Sequence, residues 1–126
     1  MKVVFVVGLP GSGKTTFLNT VIADDAFIID DIESVNQTPE DSDCINIIFI
    51  SDVHFCNSLI LEYAIETLRF KYDPFEYDII YFENDPEKCL KNVKHRNDGR
   101  KVEYTIRELS RIYSPPKTAM KIWTND

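Results

Sequence analysis

The sequence predicts a single α/β domain built on a parallel sheet of about four to five strands, with helices on both faces. Short apolar runs of strand length alternate along the chain with stretches of helical periodicity, the pattern of strands joined by crossover helices. The chain has 126 residues, a length typical of one small domain. No internal repeat or low-complexity tract interrupts the alternation, so one domain spanning 1–126 is expected.

Each element follows from a local pattern. The predicted strands are the apolar runs at 2–7, 26–29, 45–50 and 77–82, with a short fifth strand at 120–123. The predicted helices lie at about 14–23, 57–70, 85–97 and 103–113. Asn57 is a suitable N-cap, and Asp85 followed by Pro86 is a cap with proline in the first turn. The polar segment 34–43 contains Pro39 and is expected to be mostly loop.

The first strand leads directly into a glycine-rich turn with the spacing of a phosphate-binding loop. Its glycines allow a tight turn and a close approach of the backbone to phosphate oxygens. The expected nucleotide contacts are Gly8, Gly11, Ser12, Gly13, Lys14, Thr15 and Thr16. In such a loop the lysine reaches the β- and γ-phosphates and the first threonine binds Mg²⁺. The sequence thus predicts a P-loop NTPase fold that binds ATP and magnesium, with Lys14 acting in catalysis.

Acidic residues follow the second and third strands, at the sheet edge where ligands bind in parallel α/β folds. Asp30 and Asp31 end the second strand, and Asp52 ends the third. Asp30 is the candidate general base, while Asp31 and Asp52 are candidates for the acceptor site. Each of the latter two also has a structural alternative: Asp31 as the cap of a turn through 32–34, and Asp52 as the cap of a turn before His54.

Positive charge is concentrated in the last third of the chain. Residues 86–121 contain ten Lys and Arg and four Asp and Glu, which gives this segment a net charge of +6. The rest of the chain contains four Lys and Arg and seventeen Asp and Glu, a net charge of −13. A basic helical lid over about 86–113 is predicted, because phosphoryl transfer is stabilised by a guanidinium at the transferring phosphate. Arg96, near a helix end, is the catalytic candidate and Arg100, just past Gly99, is the nucleotide-binding competitor. Most of the lysines here are expected to be solvated.

Composition narrows the class of protein further. The overall charge of −7 argues against a protein coated all over with nucleic acid. The three cysteines are odd in number and match no metal-ligand spacing, which favours reduced, mostly buried thiols. Met1-Lys2 leads straight into a core strand and no apolar run reaches membrane-spanning length, so a cytoplasmic protein without a membrane partner is expected. His54 and Cys56 are expected to be structural.

These stretches together resemble the small P-loop kinases of the phage-type 5′-polynucleotide kinase group, which includes zeta-toxin-like kinases. The resemblance is carried by Gly-Leu-Pro-Gly-Ser-Gly-Lys-Thr-Thr at 8–16, the Asp pair at 30–31, Ile-Ile-Phe-Ile-Ser-Asp at 47–52, and residues 88–113. It implies that Asp30 is the base for the attacking hydroxyl, that Asp52 shapes the acceptor site, and that Arg96 is the lid arginine. The chain departs from the group in two places. Glu33 stands where the group has an acceptor-side arginine, and the 34–43 loop replaces its acceptor-tunnel helices.

The expected function is therefore transfer of the γ-phosphate of ATP to a hydroxyl, with Mg²⁺ as cofactor. The resemblance implies a DNA or RNA end, or a nucleotide, as the acceptor. Alternative enzymes are a kinase of a hydroxymethylated base in phage DNA and a nucleoside or small-molecule kinase. An alternative of another class is a regulatory ATPase that binds nucleotide without an acceptor.

Overall fold

Four parallel strands form one sheet in a computed structural model of the chain, which describes residues 2–21, 26–30, 38–39, 46–72, 74–96 and 102–122. The strands are β1 (Lys2–Val7), β2 (Ala26–Asp30), β3 (Ile47–Ser51) and β4 (Glu76–Tyr81). The helices are α1 (Lys14–Leu18), α2 (Ser58–Lys71), α3 (Pro86–Arg96) and α4 (Glu103–Ile112), with a 3-10 turn at Val53–Cys56. The parallel α/β architecture predicted from the alternating patterns is confirmed.

The strand order β2-β3-β1-β4 places the first strand inside the sheet. β1 pairs in parallel with β3 on one side and β4 on the other, which suits a strand whose residues Val3 to Val7 are all buried. Ser51 at the end of β3 is in register with Val6 on β1 and with Asp30 on β2. The turn after β1 therefore lies at the same sheet edge as Asp30 and Ser51.

The two faces of the sheet carry separate apolar clusters, because successive side chains of a strand point to opposite faces. On one face Val3, Phe5 and Val7 belong to the main core. That core is completed by buried residues of α2, α3 and α4, among them Leu61, Ile65, Cys89, Leu90 and Ile106. On the other face Val4 and Val6 pack with Leu18 of α1 and with Phe82. The helix that follows the glycine-rich turn thus covers the face opposite to α2.

Two helix starts form as the sequence predicts. The Asn57 side chain accepts a hydrogen bond from the Leu59 N–H at 3.0 Å at the start of α2. The Asp85 carboxylate accepts one from the Lys88 N–H at 3.2 Å, so α3 begins at Pro86 with an acidic cap before it. Each cap satisfies a backbone donor that has no partner within its helix.

The first helix and the fifth strand differ from the prediction. α1 ends at Leu18 rather than near 23, and the Thr20 hydroxyl donates to the Phe17 carbonyl at 2.6 Å just beyond its end. Such side-chain bonds compete with helical backbone bonds. Of the fifth strand expected at 120–123, the structure describes residues 120–122, and among these Met120 makes one parallel bridge to Phe82. Pairing stops there because the Ile122 N–H donates to the Glu83 carboxylate, at 3.1 Å.

The remaining boundaries move by one or two residues, with β3 beginning at Ile47 instead of 45 and β4 at Glu76 instead of 77. Of the predicted 34–43 loop, the structure describes Thr38 and Pro39, and the Lys71 ammonium donates to the Thr38 carbonyl at 2.7 Å. Within the described ranges, no helix has the length and apolarity needed to cross a membrane.

Candidate nucleotide-phosphate site

The turn between β1 and α1 has a backbone that requires glycine at two positions. Gly11 has a φ of 83° and Gly13 has a φ of 103°, both in the left-handed region. Glycine adopts this region without the steric cost that a Cβ brings. Gly13 is also the N-cap of α1, which begins at Lys14, and no side chain caps the helix there. The first backbone N–H groups of a helix lack intrahelical acceptors, so this loop presents donors of the kind that bind phosphate.

Close packing holds the loop in this shape. A Cβ on Gly8 would lie 2.6 Å from the Ser12 hydroxyl oxygen, and a Cβ on Gly11 would lie 2.6 Å from the Cys89 carbonyl oxygen. On the same side the Asn92 amide donates to the Gly11 carbonyl at 2.9 Å. The middle of α3 is therefore held against the loop by a side-chain hydrogen bond and by close contact with the Cys89 carbonyl.

Asn92 is a site residue that sequence reasoning missed. It is buried, and it lies three residues after buried Cys89 on the face of α3 that meets the loop. The sequence did carry a signal for it: Asn92 is a polar residue three positions after Cys89, and this helical spacing places the two residues on the same, buried face. It was hidden because the surrounding positions carry Lys88, Lys91 and Lys94, which made the whole helix look solvated.

The lysine of the motif lies inside the loop that it follows. Its side chain is buried, and the ammonium donates to the carbonyl oxygens of Gly8 and Leu9, each at 2.8 Å. It also lies 3.5 Å from the hydroxyl of Ser12, a fully buried residue. The loop therefore surrounds a positive charge with its own carbonyl groups, next to the start of α1.

Thr15 and Asp30 meet at the sheet edge. The Thr15 hydroxyl donates to one carboxylate oxygen of Asp30 (Oδ2) at 2.7 Å. These residues come from α1 and from the end of β2, fifteen positions apart in the sequence. Thr16 follows as an exposed residue of α1. The contact joins the expected magnesium ligand to the expected general base.

Asp52 has the local role that was the alternative to the acceptor site. One of its carboxylate oxygens accepts the His54 backbone N–H at 2.8 Å and also lies 2.8 Å from the His54 ring nitrogen Nδ1. These contacts cap the 3-10 turn at Val53–Cys56. The acceptor role of Asp52 stays a prediction beside this capping role.

Two of the cysteines lie in the core near the site. Cys56 and Cys89 are buried and not disulfide-bonded. Burial raises the pKa of each thiol from 9.0 to about 12, against a smaller opposing effect of the Lys14 charge. At neutral pH both are therefore protonated, apolar-like side chains, as a structural role requires. Cys44 lies outside the described residues.

Part of the positive charge of residues 86–121 is paired with nearby acids. Lys88 pairs with Glu83 at 3.3 Å, Arg107 with Glu87 at 3.1 Å, Arg111 with Glu108 at 3.4 Å and Lys121 with Glu83 at 3.4 Å. By contrast, the last turn of α3 carries three exposed basic side chains in succession, Lys94, His95 and Arg96.

Arg96 is on the same face of α3 as the residues that contact the loop. It comes four residues after Asn92 and three after Val93, and such spacings lie on one side of a helix. Asn92 bonds the Gly11 carbonyl, and Val93 would lie 2.9 Å from a Cβ on Gly11. The exposed guanidinium thus extends from the turn of α3 that follows these contacts. Asp31 and Arg100, the other two predicted site residues, lie outside the described residues.

Comparison with known proteins identifies a viral relative. The chain is 32% identical over 110 residues to the uncharacterized protein R277 of Acanthamoeba polyphaga mimivirus, covering 79% of this chain and 76% of that protein. No protein-family model matches the sequence, and no solved structure matches it. At this identity and coverage, the chain belongs to the same protein family as mimivirus R277.

Proposed function

We propose that this protein is an ATP- and magnesium-dependent kinase, with a P-loop NTPase fold, that transfers the γ-phosphate to a hydroxyl. The observation that carries the proposal is the combination of the loop and the adjoining edge. A left-handed glycine pair shapes a loop around the Lys14 ammonium, and Thr15 in the next position contacts a carboxylate. Loop, lysine, hydroxyl and carboxylate together are what γ-phosphate transfer requires.

The Lys14 contacts suggest how the loop changes when nucleotide binds. Its ammonium has three donors, and the carbonyls of Gly8 and Leu9 accept from it in this structure. Phosphate oxygens carry more negative charge than carbonyls and form stronger, charge-assisted bonds. We expect the ammonium to move from these carbonyls to the phosphates and to contribute most once negative charge develops between them.

The residues at the edge fit a magnesium ion. Magnesium binds oxygens at about 2.0–2.1 Å in an octahedron, so two neighbouring ligands lie about 2.9 Å apart. The Thr15 hydroxyl and the Asp30 carboxylate oxygen are 2.7 Å apart, close to this separation. When bound, the ion neutralises charge on the β- and γ-phosphate oxygens.

Asp30 and Arg96 supply the remaining roles. Thr15 contacts one carboxylate oxygen of Asp30, and the other (Oδ1) is proposed to accept the proton of the attacking hydroxyl. Arg96 extends from the helix that holds the loop, and its guanidinium suits the equatorial oxygens of the transferred group.

The acceptor is proposed to be a hydroxyl of a nucleic acid or nucleotide. Two points support this choice: the resemblance of residues 8–16 and 88–113 to polynucleotide kinases, and the exposed basic turn of α3. Such a turn is suited to contact with phosphates flanking an acceptor hydroxyl. The chemistry at the donor side does not depend on this choice.

The test is transfer of radiolabelled γ-phosphate to a panel of oligonucleotides, hydroxymethylated DNA and nucleosides. Wild type should label one class, and Lys14→Ala should abolish labelling and weaken ATP binding. Lys2→Ala is the matched control, because Lys2 is at the start of β1, the strand that leads into the loop, and pairs with Asp78 at 2.7 Å, away from the loop. Phosphate release without any labelled product would support a regulatory ATPase instead. Full activity of Lys14→Ala would refute the nucleotide site.

A further inference from the structure

Ser51 is a buried hydroxyl that the proposed chemistry has not used. Ser51 is the last residue of β3, and it is fully buried. Among the described residues, its hydroxyl oxygen has no hydrogen-bond partner. Buried polar groups in folded proteins are nearly always bonded, and those that are not often await a water, an ion or a functional partner.

The register of the sheet places this hydroxyl beside the Thr15–Asp30 contact. Ser51 is the direct neighbour of Asp30 across the β2–β3 pair and of Val6 across the β1–β3 pair. Val6 belongs to the cluster on the α1 side of the sheet, and residues in register on neighbouring strands share a face. The Ser51 side chain therefore lies on the face that Thr15 covers, with Asp30 next to it.

Ser51 and Asp30 are direct neighbours across the parallel β2–β3 pair. Neighbouring strands of a sheet lie about 4.7–4.9 Å apart. The serine oxygen and the carboxylate oxygens each extend from their Cβ atoms, and the serine oxygen has three staggered positions available. We therefore expect that side-chain rotation can bring the two groups into hydrogen-bond distance.

We propose that Ser51 is a positioning residue for magnesium, whose hydroxyl donates to the Asp30 carboxylate when Thr15 and Asp30 hold the ion. This inference rests on the proposed function, since it concerns the same nucleotide site. Carboxylates that bind metals are themselves held by hydrogen bonds from a second layer of groups. Ser51 would supply such a bond from the neighbouring strand and would hold the Asp30 carboxylate in the orientation that binds the ion.

The test measures magnesium affinity rather than turnover. Binding of Mg²⁺ is titrated by calorimetry into protein saturated with a non-hydrolysable ATP analogue, for wild type, Ser51→Ala and Ser51→Cys. Loss of a group that orients a metal ligand typically lowers metal affinity about 10–100-fold. We expect that loss in Ser51→Ala and a partial loss in Ser51→Cys, whose thiol stands in the place of the hydroxyl but is larger and donates only weakly. Ser58→Ala, at the exposed start of α2, is the control and should bind like wild type.

Thermal unfolding without ligand separates positioning from a structural role. The Ser51 hydroxyl has no partner among the described residues, so Ser51→Ala should melt at or above the wild-type temperature while binding magnesium more weakly. Equal magnesium affinity in Ser51→Ala and wild type would overturn the inference and leave the proposed function intact. A lower melting temperature with unchanged affinity would overturn it as well. Failure of wild type to bind the analogue with magnesium would refute the proposed function, and this inference with it.

Discussion

Replacing Gly11 with alanine tests how the loop is held. Gly11 has a φ of 83°, and its added Cβ would lie 2.6 Å from the Cys89 carbonyl oxygen and 2.9 Å from a Val93 methyl carbon. The left-handed backbone alone costs an alanine about 1–2 kcal/mol. Forcing a methyl group into a filled space adds about 1–3 kcal/mol. The carbonyl oxygen is backbone of α3 and cannot move aside without moving the helix.

Gly11→Ala should therefore lower the free energy of unfolding by about 2–5 kcal/mol, measured by urea denaturation of the nucleotide-free protein. Gly8→Ala is the comparison, because its nearest contact is the Ser12 hydroxyl, a side chain that can rotate, at 2.6 Å. It should cost less, at the lower end of the overpacking range, about 1 kcal/mol. A Gly11→Ala protein as stable as Gly8→Ala would show that α3 does not hold the loop as described.

Three further predictions address the site and the core. Asp30→Asn should lower kcat by about 10²–10⁴-fold. The affinity for ATP without magnesium, measured by calorimetry, should stay near that of wild type. A turnover rate within tenfold of wild type would contradict a base role for Asp30. Arg96→Ala should lower kcat much more than it raises the KM for ATP. Arg96→Lys should not restore activity, because the lysine ammonium lacks the planar fork of the guanidinium. Single-turnover rates at saturating ATP measure this, and a near-normal rate would show that Arg96 is only a solvated surface residue. Cys56 and Cys89 have thiol pKa values raised from 9.0 to about 12, so above pH 9 the unfolded chain loses thiol protons that the folded chain keeps, and stability should fall as pH rises toward 12. Urea unfolding at pH 8 and pH 10 under reducing conditions should show this fall, and the Cys56→Ala/Cys89→Ala double variant should show a smaller one.

The elements with strong local signals were predictable from the sequence. An uninterrupted apolar run indicated the central strand β1, and Asn57 and Asp85 marked the starts of α2 and α3 because capping depends on residues only a few positions apart. The glycine spacing likewise predicted a tight turn after β1, and in the structure Gly11 and Gly13 have the left-handed backbone that glycine adopts most easily. The sheet has four strands, the lower of the two predicted numbers, and the described part of 120–123 contributes one bridge to it. The Ile122 N–H donates to the Glu83 carboxylate, a contact that the local pattern does not encode.

The sequence by itself determined the parallel α/β architecture, the glycine-rich turn after the first strand and the acids that follow the strands, because each depends on neighbouring residues or on a repeated pattern. Only the tertiary structure decided which groups meet. It brought Thr15 to Asp30 at 2.7 Å, Asn92 to the Gly11 carbonyl at 2.9 Å, and Ser51 into register beside Asp30. It also showed that Glu83 and Glu87 neutralise basic residues that the charge count alone assigned to one positive surface. Such contacts join residues far apart in the chain, and their partners are fixed by strand order and helix packing, which no local pattern specifies.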